Sequence, residues 1–259
     1  WVLLASRALP AVDGTARSVD PLSMVLNAGT FALLVIAAGF ITDRPLLATT
    51  LLALSAIQLT LLVNRERPKV APLIPLDLLE ARSFCLSVIA SVLCFAGQTT
   101  ALVALPFYLH HGLGLSVLMT GLYMLPWPLT VALVAPLAGR MASRWSTTWL
   151  CSAGGIFLSA GLGGAALWPL QEKLMMLVPL TMLCGFGFGL FNVANNRNMF
   201  LSAPMSRSGA AGGMQGTARL LGQTAGAVIM MLIFNRLSAD SAPQIALGAG
   251  ALLSLFAAL

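Results

Sequence analysis

Few side chains in this chain are suited to chemistry, and nearly all of them are amides or a single arginine set among apolar residues. Within 211–234, Gly212, Gln215, Gly216, Arg219, Gly222, Gln223 and Gly226 recur at i, i+3, i+4 and i+7, so a helix gathers them on one face. As a functional residue Arg219 would line a substrate or proton pathway, with Gln215 and Gln223 beside it. As a structural residue it would snorkel to the nearer interface or pair with helix-end carbonyls. Gly212/Gly216 and Gly222/Gly226 form small-xxx-small pairs that let a neighbouring helix approach. Within 174–193, Gly185, Gly189, Asn192 and Asn196 share a face that runs into Asn195-Asn196-Arg197-Asn198. Those amides can hydrogen-bond a neighbouring helix or a gate, and Asn195 and Asn198 are assigned to packing. Ser87, Ser91, Cys94 and Gln98 form a third stripe, in which Gln98 either orients a ligand or bridges two helices.

The elements that carry these residues follow from composition. Of 259 residues 58% are hydrophobic and 8% are charged, against about 25% charged in soluble domains. Mean hydropathy is +0.91. Such a chain is neither disordered nor a disulfide-rich module nor an ordinary soluble enzyme, and the class that remains is an all-α polytopic membrane protein. Polar side chains at membrane depth then matter, because each costs a few kcal/mol against lipid (about 2.5–3.5 for an ion) unless it faces protein or water. Cys85, Cys94, Cys151 and Cys184 lie inside apolar runs without CxxC spacing, so they read as small apolar residues.

Crossing about 30 Å of hydrocarbon takes roughly 20 helical residues. That ruler gives seven spans, near 22–41, 46–63, 84–107, 118–138, 148–168, 174–193 and 211–234, with partial spans at 1–6 and 244–259. Alternating the loops puts Arg7, Arg17, Arg65, Arg67, Lys69, Arg82, Arg140, Arg144, Arg197 and Arg207 on one side. The other side holds Arg44, Lys173 and Arg236. This asymmetry places the 64–83 linker in the cytoplasm. Net charge is +6, but the basic residues sit between apolar runs with no aromatic-interleaved face, so no nucleic-acid partner is expected. Leu76–Arg82 is expected as a short amphipathic turn on the membrane surface or as solvated linker.

Spans from 84 onward split into three plus three of opposite topology, the organisation of inverted repeats. Pro106, Pro126, Pro128 and Pro136 mark kinks. His110-His111 has no acid or third histidine nearby and is assigned to the outer interface rather than to a metal. The Gly185–Gly189 run follows no soluble strand and carries no lysine, so it is no phosphate loop. All eight acidic residues fall in loops. An intramembrane enzyme would need clustered ligands or a nucleophile with a base, and the sequence offers neither.

Several segments carry a family resemblance. Pro106-Phe107-Tyr108-Leu109, Gly114, Thr120-Gly121, Leu125-Pro126 and Ala135-Pro136-Leu137-Ala138-Gly139 resemble the second half of a major facilitator. Ser206-Arg207-Ser208-Gly209 and Gly212–Gln223 are similar to the penultimate helix of the fourteen-helix drug:proton antiporters. That resemblance implies the tail of a preceding helix and a cytoplasmic loop at 1–21, an extra helix pair at 22–63, the linker at 64–83, and a six-helix half-bundle at 84–259 whose last helix is truncated. It further implies a fragment whose partner is a missing N-terminal transporter half, working in the lipid bilayer of a bacterial-type inner membrane. The expected activity is export of amphipathic compounds driven by a proton gradient, with no cofactor. Gln98, Asn192, Asn196, Gln215, Arg219 and Gln223 would be cavity or gate residues, and Gly185, Gly189, Gly212, Gly216, Gly222 and Gly226 packing positions. The family's proton-binding carboxylate belongs to the other half. In the G-x-L-A-D-R-like loop, Gly139-Arg140-Met141-Ala142-Ser143-Arg144, serine replaces the acid, which argues against charge-relay gating there. An importer of a small metabolite and a non-transporting membrane subunit are the alternatives.

Overall fold

The computed structural model describes residues 20–41, 43–66, 76–168, 173–237 and 241–259. The expected partial span at 1–6, the charges Arg7, Arg17, Arg67 and Lys69, and the prolines of the linker lie outside these residues. The described residues form ten α-helices: α1 (Pro21–Phe40), α2 (Pro45–Glu66), α3 (Leu76–Glu80), α4 (Arg82–Phe107), α5 (Val117–Met124), α6 (Pro126–Ala142), α7 (Thr147–Leu167), α8 (Leu177–Leu201), α9 (Ser208–Arg236) and α10 (Ala242–Ala258). Seven helical stretches are long and apolar enough to cross a membrane, and α10 is a shorter apolar helix. The protein is an all-α polytopic membrane protein.

α1 and α2 form a self-contained hairpin. Asp20 caps α1, its carboxylate accepting from the amides of Leu22 (3.1 Å) and Ser23 (3.4 Å), with Pro21 in the first turn, where its missing N–H costs nothing. Ser23, Thr30 and Ala37 are buried on α1, and Ala48, Ser55 and Leu62 on α2. Both sets repeat every seven residues, the seam of a left-handed helix pair. Small side chains let the backbones close, and the Ser55 hydroxyl donates to the Thr30 carbonyl at 3.1 Å. Arg65 meets Asp20 at 3.2 Å, tying the end of α2 to the start of α1.

Packing among the long helices runs in one row, α6 to α8, α8 to α7, α7 to α10, α10 to α4, and α4 to α9, while α4 and α8 also touch each other. Exchanging the triplet α4, α6, α7 for the triplet α8, α9, α10 turns this row into itself read backward. Helix parity alone does not impose that pairing, so the packing carries the inverted-repeat symmetry. Contacts between remote segments fix the ends. The starts of α4 and α9 and the end of α8 meet through Asn198 to Ser83 and Arg207 to Asp77. At the opposite end, Phe107 packs edge-on against Phe234. The six described cations of the cytoplasmic set, Arg65, Arg82, Arg140, Arg144, Arg197 and Arg207, lie at helix ends or short loops on one side.

Backbone-tight seams hold the row. A Cβ on Gly154 of α7 would lie 2.5 Å from the Phe191 nitrogen of α8, and one on Gly161 2.6 Å from the Cys184 sulfur. Gly97 of α4 and Gly250 of α10 press on each other's backbone in the same way. Between them lies a core that includes Phe84, Leu105, Leu109, Trp127, Leu158, Leu162 and Phe191, each at most 2% exposed.

The span expected at 118–138 is one membrane-length stretch, Val117–Ala142, in which α5 and α6 follow one another. Pro126 and Pro128 cannot donate to the carbonyls four residues earlier, yet Leu125 between the two helices keeps helical backbone angles. Two sequence expectations need correction. The span at 174–193 runs on to Leu201, because its terminal amides find partners on neighbouring helices. Leu76–Arg82 is more than a solvated linker. It folds as α3, with Leu78 buried among Phe84, Met199, Ala211 and Met214, and Asp77 gripping Arg207 at 2.8 and 3.1 Å.

Candidate functional site

Two sets of polar side chains enter the helical bundle, and the structure treats them differently. At the cytoplasmic end of α8, Asn195 is 3% exposed and donates to the Ser87 carbonyl at 3.0 Å and to the Ser91 hydroxyl at 2.7 Å. One turn on, the Asn198 amide donates to Ser87 (2.8 Å) and Ser83 (3.2 Å) and its carbonyl accepts from Thr147 at 3.1 Å. The amides thus stitch α8 to α4 and α7. The serines at 83, 87 and 91 stand one helical turn apart, a spacing the sequence reading used only from Ser87 onward; Ser83 and Thr147 were missed.

The second set has no such partners. Among the described residues Gln98, Gln215, Arg219 and Gln223 make no hydrogen bond or ion pair. Gln98 sits half-buried one turn beyond Cys94 on the α8-facing side of α4. Arg219 is exposed, about 16 Å along α9 from its first residue.

Turning round α9 at 100° per residue places each residue of its polar stripe. Gly222 and Gly226 press on α4: their Cβ positions fall against the Val92 carbonyl at 2.5 Å and the Thr99 Cβ at 3.0 Å, and the Thr100 hydroxyl donates to the Gly226 carbonyl at 3.1 Å. On the opposite side, Thr224 and Val228 line the gap to α1. The arc left between these two directions carries Arg219, Gly212, Gln223 and Gly216, in that angular order, whereas half-buried Gln215 falls in angle between Gly222 and Gly226, on the packed side. Among the described residues Gly212 meets only the ring of Phe200 on α8, at 3.6 Å, and a Cβ on Gly216 would meet nothing within 4 Å. The single face drawn from periodicity thus splits into a packed half and an open half.

The open arc turns toward α8, as the Gly212–Phe200 approach indicates. On α8, Gly185 and Gly189 face α6, through Trp127, Thr130 and Val134, and Phe188 faces α4, edge-on to Phe95 at 5.4 Å. Asn192 falls between those two directions. It accepts from Asn196 at 3.0 Å, and both are half-buried. Asn192, Asn196, Gln98 and Arg219 thus turn toward the side where α4 and α8 meet, flanked by α6 and α9, while Gln215 stays on the α4 side of α9. Gln223 departs from this group and lies at the edge of the gap between α9 and α1.

The histidines do something else. The His110 Nδ1 bonds the Leu115 carbonyl at 2.7 Å within the turn after α4, and His111 stacks on Phe107 at 4.4 Å. Among the described residues, no group of three His, Cys, Asp or Glu side chains could hold a metal ion. The described carboxylates stand at helix ends or in turns, as the Asp20 cap and the Asp77–Arg207 pair illustrate.

Residues 21–227 match the Major Facilitator Superfamily. The chain is 40% identical to the uncharacterized transporter YebQ of Escherichia coli (strain K12), over 99% of this chain and 57% of that protein. It is 28% identical to the riboflavin transporter RibZ of Clostridioides difficile (strain 630), over 87% of this chain and 49% of that one. It is 26% identical to the multidrug efflux pump LfrA of Mycolicibacterium smegmatis, over 90% of this chain and 47% of that one. The chain spans about half the length of these curated relatives.

Proposed function

The chain belongs to the Major Facilitator Superfamily, and from that premise we propose that it is the C-terminal portion of a proton-coupled exporter of amphipathic compounds, of the fourteen-helix branch, in a bacterial-type inner membrane. α1 and α2 are then the extra central pair, residues 84–259 the second transporter half, and the absent first half the partner that covers the open side of α4, α8 and α9.

The observation that carries this proposal is Arg219, exposed and unpartnered among the described residues well inside a span. A guanidinium at that depth is costly against lipid, so its arc of α9 calls for another protein surface or a water-filled path. An arc of one cation and one amide, next to half-buried Gln98, Asn192 and Asn196, supplies donors and acceptors without a fixed negative charge. Such a lining suits amphipathic ligands of mixed polarity better than a dedicated cation site. The described carboxylates all stand at helix ends or in turns, so proton binding falls to the other half. Alternating access is a population shift between inward-open and outward-open states, and the end-to-end packing symmetry of the two triplets supports that kind of rocking.

Similarity to a multidrug efflux pump favours drug export; similarity to a riboflavin transporter favours a second candidate, a carrier of a metabolite. Inverted vesicles containing the complete parent protein separate the two. A saturable collapse of an imposed proton gradient on adding lipophilic cations, dyes or neutral drugs supports export by antiport. No response to that panel, with uptake of flavins or other metabolites instead, selects the carrier and rejects the exporter.

A further inference from the structure

We propose that the gap between α1 and α9 is a binding site for one acyl chain of a membrane phospholipid, which seats the α1–α2 hairpin on the six-helix body. The hairpin packs tightly on itself but meets the body mainly where α1 passes α9. Two cavities of about 380 Å³ and 460 Å³ flank that passage, and Ala38, Thr224 and Val228 line both, so they form one groove. Its walls belong mainly to the second half of α1 and the middle of α9, with Leu52 of α2 and Val92 of α4, so it lies at hydrocarbon depth in the half of the bilayer away from the cytoplasm. The site needs only that the chain spans a membrane, so it stands whether or not the exporter proposal does.

The occupant follows from the walls. Apart from Gln223 and Thr224 they are apolar, too few polar groups to hold ordered water in a space of that size. An empty groove would forfeit the dispersion contacts of its lining. The walls also run without break into the lipid-facing surface, where Val35, Leu52 and Leu220 are 53%, 41% and 51% exposed. The groove is therefore continuous with the protein–bilayer interface and open to the chains that fill it. The absent transporter half is the other conceivable occupant, but its polar counterpart on this chain is Arg219, which faces a different direction from Thr224 and Val228. An acyl chain moving from bilayer to groove gains nothing from the hydrophobic effect, since both surroundings are apolar; retention comes from close packing alone. The bound chain should thus outlast lipids on open helix faces yet still exchange.

The test uses the complete parent protein, reconstituted with phosphatidylethanolamine carrying a diazirine in one acyl chain. The protein is then solubilised, passed through gel filtration and irradiated. Label is expected on 34–41 and 220–231 and not on the outer face of α2 at Leu54, Ile57 and Leu61. In Ala38→Phe, which fills the shared wall, the groove label is lost. Ala227→Phe fills the groove from the other side and serves if the first variant elutes as aggregate. Equal labelling of groove and α2 face overturns the proposal, as does groove label that survives both substitutions. Cross-linking of the groove to another protein segment in place of lipid overturns it as well.

Discussion

The cytoplasmic end of α8 and the open arc of α9 both carry amides into the membrane, yet they play opposite parts. Asn195 and Asn198 have their donors matched by serines of α4, at 2.7–3.2 Å. Gln215, Arg219 and Gln223 have no counterpart among the described residues, although Gly222 and Gly226 on the same helix are pressed against α4. The first set is interhelical glue, and the second is a surface prepared for something else. What separates them is the partner helix, not the residue type, because asparagine and glutamine offer the same donors and acceptors.

That contrast can be broken at several points. The largest effect belongs to the packed side of α9. Gly226→Leu drives a side chain into the Ala96 carbonyl and Thr99, and overpacking against backbone costs at least about 1–3 kcal/mol; little monodisperse protein should survive extraction. Next is Asn195→Leu, which leaves the buried Ser91 hydroxyl and Ser87 carbonyl without their donor. About 1–3 kcal/mol of stability should be lost, read as a lower midpoint in a detergent thermal-unfolding assay. An unchanged midpoint would remove Asn195 from the glue. Asp77→Asn weakens the two-point grip on Arg207, but this pair is partly solvated, so the shift should be at most about 1 kcal/mol and shrink further in high salt. Smallest in stability is Gln223→Leu on the open arc, expected to leave the midpoint where it was while slowing transport. A large stability loss there would place Gln223 with the asparagines.

The spans were legible because length and hydropathy decide them: α1, α2, α4, α7 and α9 begin and end within about three residues of their expected limits. The end of α8 was not, since Asn195–Asn198 looks like a polar loop until Ser83, Ser87 and Thr147 are known to meet it. The α5–α6 break was visible as prolines but not as two helices. On α9, periodicity joined into one face residues that the packing separates. A face drawn by 3.6-residue spacing is wide enough to straddle the boundary of a contact, so Gly222 and Gln223, one residue apart, fall on opposite sides of it. Leu78 illustrates the same limit: an apolar residue in a short charged segment suits a membrane surface and a protein groove equally, and only Met199 and Met214 decide.

The most direct test of the difference between the two amide sets is transport by Arg219→Ala and Asn195→Ala in the complete parent protein, each normalised to the folded protein in the vesicle. Arg219→Ala should insert and unfold like wild type yet transport at least about tenfold more slowly, the change that about 1.4 kcal/mol produces. Asn195→Ala should lose folded protein and keep its rate per folded molecule. Wild-type transport in Arg219→Ala, or a collapse of its folding, would contradict the assignment of the α9 arc to function.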